Sequence, residues 1–457
     1  MKIGLECHVQ LQTQTKLFCG CPNKFVKDPN TLTCEYCIGL PGSKPRLNAK
    51  AIEYGIRIGS ALNCKFPQEM FFSRKSYFYP DMGKNFQITQ YEIPIAAKGF
   101  LEINGKRIRI RRINLEEDPA RIVHIGTITK AEYLLLDYNR SGVALCEIVT
   151  EPDFLSTKEA RDFLQHLSSI LEYLGVYDPN VEGSLRVDAN ISLAETRVEI
   201  KNISGFKEVE KALNYEIIRQ NNLLRRGQHV VMETRAWDAL GGVTRSLRIK
   251  EGEEEYGYIF EPDLPRITLD KAAIERIRAQ LPELASQKIT RYEKMGIEKE
   301  LAVAIASEPS MAAMFERVCA HADVQLAAKW FAGEIQKTLN YNNLRMKDTK
   351  IKPEYIIKLL KFVDSKKVTE KTAELMLRDM IINPKDPEEL IMGKARIFDE
   401  KFLEPVIKDV LDNNPQAIVD FKSGKNEAFN FLVGQVMRKT EGRGDPDTIR
   451  KLLRQKI

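Results

Sequence analysis

The segment from Ile3 to Leu11 limits the fold more than any other stretch of the chain. Ile3, Leu5, Cys7, Val9 and Leu11 fall on one side of it, and Gly4, Glu6, His8 and Gln10 on the other. A period of two describes an extended strand with one face turned to a core. The other face then presents a carboxylate and an imidazole about 7 Å apart along the strand. Gly4 leaves room beside them. Oxygen ligands suit hard cations and imidazole nitrogen suits softer ones, so this strand can form the floor of a metal site. A solvated polar face accounts for the same two residues.

At 457 residues the chain has room for two or three domains. No apolar run approaches the roughly 20 residues of a membrane span. The sequence enters its first strand with no apolar leader ahead of it, so the expectation is a cytoplasmic protein with reduced thiols. Its eight cysteines are then metal ligands or core residues. Cys19-Gly-Cys21 and Cys34-Glu-Tyr-Cys37 form two short pairs separated by a loop. That spacing predicts a closed tetrahedral zinc site that staples residues 19–37 and leaves no position for a substrate. Cys7, Cys64, Cys146 and Cys319 are isolated and read as core residues.

Further along, Lys75, Tyr77 and Tyr79 share a face if Phe71–Tyr79 is extended. A lysine beside tyrosines can hold a phosphate and stack a base, and a strand pair with aromatic packing is the alternative. Asn104-Gly105 between apolar runs predicts a type I′ hairpin with Leu101 facing Ile108 and Glu102 facing Arg107. The second strand delivers Glu116-Glu117-Asp118, three acids that need either a cation or water among them. Ser156-Thr-Lys-Glu159 is a capping box opening a helix that Gly175 closes. Ser184, Arg186, Asp188 and Asn190 share a strand face, and Arg197, Glu199 and Lys201 share the next.

From Thr268 the strand patterns stop and helical spacing takes over. Boundaries are expected near 290 and near Asp399–Phe402. The final stretch, 421–457, carries nine Lys/Arg against four Asp/Glu and holds most of the chain's net charge of +6. There is no GxxxxGK[ST] loop, GxGxxG, GxSxG or HExxH. A nucleotide would have to be held by polar strand faces and a metal.

Several stretches resemble one family. They are Ile3–His8, Arg74–Asp81, Leu115–Asp118, Asp137–Arg140, Glu147–Asp153, Glu182–Asn190 and Phe431–Met437, and they occur in family order across essentially the whole chain. Together they resemble the GatB/GatE family of tRNA-dependent amidotransferase subunits, on its GatB side. The resemblance implies an α+β architecture: a mixed-sheet cradle domain (1–290), an all-α helical domain (291–400) and a small YqeY-like helical tail (401–457) that binds tRNA. It implies ATP-dependent phosphorylation of the side-chain carboxylate of mischarged Asp-tRNA(Asn) or Glu-tRNA(Gln). Amidation with glutamine-derived ammonia follows, in a heterotrimer with an amidase (A) component and a small C component and with no membrane partner. Magnesium would fall to Glu6, His8, Glu116 and Glu117, and structural zinc to Cys19, Cys21, Cys34 and Cys37. The expected catalytic set adds Lys75, Arg186, Asp188 and Lys201. Lys75, Tyr77, Tyr79, Arg186 and Asn190 would contact ATP.

Two other readings compete. The GatE branch carries a large insertion between cradle and helical parts, for which the passage from Leu240 to Thr268 leaves no room. A non-catalytic, zinc-containing RNA-binding protein would explain the cysteines and the basic tail. It would leave the acids and histidine on separate strands unexplained.

Overall fold

The computed structural model describes residues 1–125, 132–181, 183–249, 256–391 and 400–457. Glu182, and Asp399 at the expected second boundary, lie outside them. The chain divides into two compact units, Met1–Leu284 and Ala285–Ile457.

In the first unit the elements that build the site are β1 (Lys2–Gln10), α1 (Ala49–Ala61), β2 (Glu69–Met70), β3 (Ser73–Ser76), β4 (Phe86–Thr89), β5 (Ala96–Ile103) and β6 (Lys106–Glu117). They continue with β7 (Arg121–Ile125), β8 (Tyr133–Asp137), β9 (Ala144–Thr150), α2 (Thr157–Tyr173), β10 (Leu185–Ser192), β11 (Val198–Ile203), α3 (Phe206–Arg225), β12 (Glu233–Asp238) and β13 (Val243–Ile249). One eight-stranded sheet runs β13-β12-β11-β10-β1-β9-β6-β5. Its pairings are antiparallel except that between β11 and β12, which makes the sheet mixed. The first strand of the sequence therefore lies inside the sheet, flanked by β10 and β9.

Its alternation is the one expected. Ile3, Leu5, Cys7 and Val9 are enclosed in the main core, while Glu6 and His8 are half-buried on the opposite face. On the core side α2 contributes Phe163, Leu164, Leu167 and Leu171, and α3 contributes Val209, Ala212 and Leu213. Burying each such Leu or Phe contributes about 1.5–3 kcal/mol, which fixes the register of the strands beneath them. Ser156 caps α2 by accepting from Glu159 N, and Gly175 follows its end at φ +66°. The carboxylate of Glu159 accepts from Leu155 N, one residue ahead of the cap.

The β5–β6 hairpin has the predicted register, Leu101 opposite Ile108 and Glu102 opposite Arg107. Asn104 and Gly105 both take positive φ (+51° and +78°), as a type I′ turn requires. The expected strand through Tyr79 is shorter than its pattern suggested. β3 stops at Ser76, and the chain turns back with Met82 N donating to Tyr79 O and Asn85 N to Met82 O. Pro80 has no N–H to extend a ladder.

The second unit is helical. One hydrophobic cluster centres on Tyr292, Phe315, Phe331 and Met376, and another on Leu403, Ile407, Leu432 and Ile449. Among the described residues no helix is long and apolar enough to cross a membrane.

Candidate functional site

Register alone gathers the polar residues of the first unit. On β1, Glu6 lies opposite Asp188 and His8 opposite Arg186. On its other side His8 lies opposite Glu147 of β9, which in turn lies opposite Asn114 of β6. Residues directly opposite in a ladder point to the same face, so four strands place these side chains in one patch. Glu199 joins from β11 by pairing with Asn190.

Ligand-capable atoms of Glu6, His8 and Glu147 lie within 4.8 Å of one another, and so do those of Glu6, Asp188 and Glu199. Each group is held by a neighbour. His8 Nδ1 meets Glu116 Oε1 at 3.1 Å, and Thr89 Oγ1 donates to the other oxygen of Glu116 at 3.2 Å. Asn190 Nδ2 donates to Glu6 (2.8 Å) and Asn114 Nδ2 to Glu147 (2.6 Å). Lys201 bridges Asp188 (2.8 Å) and Glu199 (2.9 Å). Arg186 donates to Asp118 at 2.8 Å, and Arg140 donates to the same carboxylate at 2.5 Å.

Electrostatics follow from crowding acids into a buried patch. Burial, with Glu116 and Glu6 adding repulsion, pushes Glu147 up to about 6. Burial pulls the His8 imidazolium down, but the hydrogen bond and charge of Glu116, with Glu147 and Asp188, outweigh it and lift His8 to about 9. Burial works against the Glu116 carboxylate, and the His8 bond and charge, with Lys75, hold it below its ordinary value.

A cavity of about 380 Å³ opens over this patch. Glu6, Lys75, Thr89, Glu116, Glu147, Arg197, Glu199 and Lys201 line it. Its aromatic walls are Tyr91, Tyr256 and Tyr258. Tyr91 and Tyr258 stack at 4.0 Å, and Lys75 Nζ sits 4.4 Å from the Tyr256 ring.

Glu117, Tyr77 and Tyr79 lie elsewhere than the strand pattern alone placed them. Glu117 is not brought to the patch. Successive strand residues point to opposite faces, so Glu117 projects to the other side of β6. There it accepts from Lys84 Nζ (2.5 Å), Tyr36 Oη (3.1 Å) and Ile88 N (2.9 Å). Tyr77 and Tyr79, beyond the end of β3, pack on one another at 5.0 Å and do not line the cavity, although Tyr77 lies close enough to Lys201 and Asp118 to feel their charges. Sequence reasoning missed Glu147, although a lone carboxylate inside an apolar strand was its available signal. It also missed Tyr91 and Tyr258, which no spacing connects.

The four cysteines of the insert do converge. Cys37 Sγ lies 3.6 Å from Cys19 Sγ and 3.7 Å from those of Cys34 and Cys21. Four sulfurs each about 2.3 Å from a tetrahedral zinc lie about 3.8 Å apart, so the set fits that ion. The hydrogen bond from Cys19 is the main cause of a Cys37 thiol drawn down to about 4, with the charge of Lys16 helping and burial opposing.

Comparison with known proteins adds an independent line. A family model described as the GatB/GatE catalytic domain matches residues 1–275, and one described as a GatB domain matches residues 313–457. A protein of Methanospirillum hungatei, named as the B subunit of aspartyl/glutamyl-tRNA(Asn/Gln) amidotransferase, is 46% identical, the match covering 99% of this chain and 97% of that protein. A protein of the same name from Saccharolobus solfataricus is 44% identical over 100% and 99% of the two chains. One from Carboxydothermus hydrogenoformans is 41% identical over 100% and 98%.

Proposed function

The chain belongs to the GatB/GatE family, and from that premise we propose that it is the GatB component of a tRNA-dependent amidotransferase. The reaction is that of an ATP-dependent carbon–nitrogen ligase with glutamine as amido donor. The side-chain carboxylate of Asp-tRNA(Asn) or Glu-tRNA(Gln) takes the γ-phosphoryl group of ATP and ADP leaves. Ammonia then displaces phosphate and leaves the amide. An amidase subunit makes the ammonia from glutamine, and a small third subunit completes the heterotrimer. The cytoplasm, where the thiols stay reduced, is the proposed location.

The observation that carries this reading is the convergence of Glu6, His8 and Glu147, within 4.8 Å, where Glu6 and Glu147 line a cavity shared with Lys75, Arg197 and Lys201. Oxygen and nitrogen atoms that close fit one divalent cation. When bound, magnesium would neutralise phosphate charge and orient the transferred group. Glu116, bonded to His8 Nδ1, fixes the imidazole, and a bound ion would take Nε2 in place of the proton that the surrounding acids otherwise hold on the ring. Asn190 and Asn114 orient Glu6 and Glu147. Lys75 and Arg197 supply positive charge for phosphates, and the stacked Tyr91 and Tyr258 offer an apolar wall for a base. Arg186 and Lys201 place positive charge beside His8, where an incoming carboxylate has to be held against Glu6 and Glu147. Cys19, Cys21, Cys34 and Cys37 hold a structural zinc, and the helical part with the basic tail holds tRNA.

A transamidation assay on the assembled complex with each mischarged tRNA tests the proposal. ADP and amidated aminoacyl-tRNA are expected in equal amounts. Amide formed without ADP would contradict it.

A further inference from the structure

A lysine outside the cleft carries a further inference. Lys16 is completely enclosed, yet no carboxylate among the described residues pairs with it. Its Nζ donates to Leu32 O (2.9 Å), Tyr138 O (3.2 Å) and Cys37 Sγ (3.2 Å). Those partners use its three donors. The buried carboxylates Glu117 and Asp118 are already matched, by Lys84 and by Arg140 with Arg186. Carbonyl dipoles replace the lost hydration of a buried ammonium poorly, and of its three partners only the Cys37 sulfur can carry negative charge. Four thiolates around a divalent cation leave a net charge of about −2, on the ligand chemistry such sites use. Each charge supplies what the other lacks.

We propose that Lys16 is the built-in counter-charge of the metal–thiolate centre, acting through Cys37. The proposal rests on the zinc reading given above. Lys16 is a positioning residue: it orients one ligand sulfur and withdraws charge from it. Its own backbone N donates to Cys21 O at 3.0 Å, so the same residue shapes the loop that presents the first cysteine pair.

The test compares wild type with Lys16→Met as full chains, zinc-loaded and zinc-stripped. Zinc transfer to a chromogenic chelator is timed, and the melting temperature of each form is measured. Release from Lys16→Met is expected to be faster by about tenfold or more, the scale on which outer partners of metal ligands act. Its melting temperature should fall further in the loaded form than in the stripped form, because four thiolates around the ion leave more negative charge to balance than Cys37 alone. Equal release rates, or an equal fall in both forms, would overturn the proposal and leave Lys16 as a scaffold donor to Leu32 and Tyr138. If Lys16→Met does not fold, acylation of wild-type amines decides. Lys16 should be shielded with zinc and react once zinc is removed, and shielding unchanged by zinc would overturn the proposal. Wild type that binds no zinc would overturn the zinc reading as well, an outcome distinct from a loaded wild type matched by its variant.

Discussion

Glu116 and Glu117 are neighbours of the same chemistry with opposite surroundings. The pleat sends Glu116 toward His8 and Glu117 toward Lys84. Their substitutions should therefore separate. Lys84→Met leaves a buried, uncompensated carboxylate and is expected to cost about 3–5 kcal/mol of stability in denaturant unfolding of the full chain. Glu116→Gln should leave the unfolding midpoint nearly unchanged and weaken divalent-metal binding by about 10–100-fold, as loss of the group orienting a ligand histidine does. Equal effects of the two changes would mean that both carboxylates serve one site. The period-two pattern showed in advance that Glu6 and His8 share a face. Carried forward from the hairpin it does not divide the acids correctly, because a register shift between Ile110 and Arg112 breaks the alternation before it reaches Glu116 and Glu117.

The Cys-rich insert is more than a stapled loop. Leu32 N donates to Asn139 Oδ1 (2.7 Å), Ser141 Oγ to Cys37 O (2.9 Å) and Tyr138 N to Asn30 Oδ1 (2.7 Å). The turn so held carries Arg140, which together with Arg186 flanks Asp118. Zinc removal is therefore expected to raise amide hydrogen exchange in residues 28–37 and also in 136–141, with β1 and β10 unchanged. Confinement of the change to residues 19–37 would show that the turn stands without the insert. Cysteine spacing made the cluster legible in the sequence. The docking of the insert was not, because side-chain to backbone bonds from Asn30, Asn139 and Ser141 leave no periodic trace. The type I′ hairpin was legible down to its register, since Asn-Gly prescribes both positive φ angles. The strand through Tyr79 was overextended for the opposite reason: nothing in an aromatic run marks where pairing stops.

At the scale of the whole molecule, the change of pattern near Thr268 marks where helices replace strands among the described residues, still within the first unit and ahead of the second unit that begins at Ala285. The last of these helices enclose their own cluster of Leu403, Ile407, Val410, Leu432 and Ile449. Deleting residues 402–457 should then spare the cradle fold while removing the basic groups proposed to contact phosphate. Filter binding of charged tRNA to the truncated complex is expected to show weaker affinity and a shallower dependence on salt, because fewer counterions are released. Affinity equal to that of the full complex across the titration would rule out a tRNA-binding tail. In the cradle, the proposed step is acceptance of the phosphoryl group by the substrate's own carboxylate over Glu6 and His8. The most direct measurement uses mischarged tRNA with ¹⁸O in both side-chain carboxylate oxygens and follows the inorganic phosphate released by the assembled complex. One ¹⁸O is expected in that phosphate, and its loss together with ADP formation is expected in His8→Ala. Phosphate free of ¹⁸O during full amide formation would contradict it.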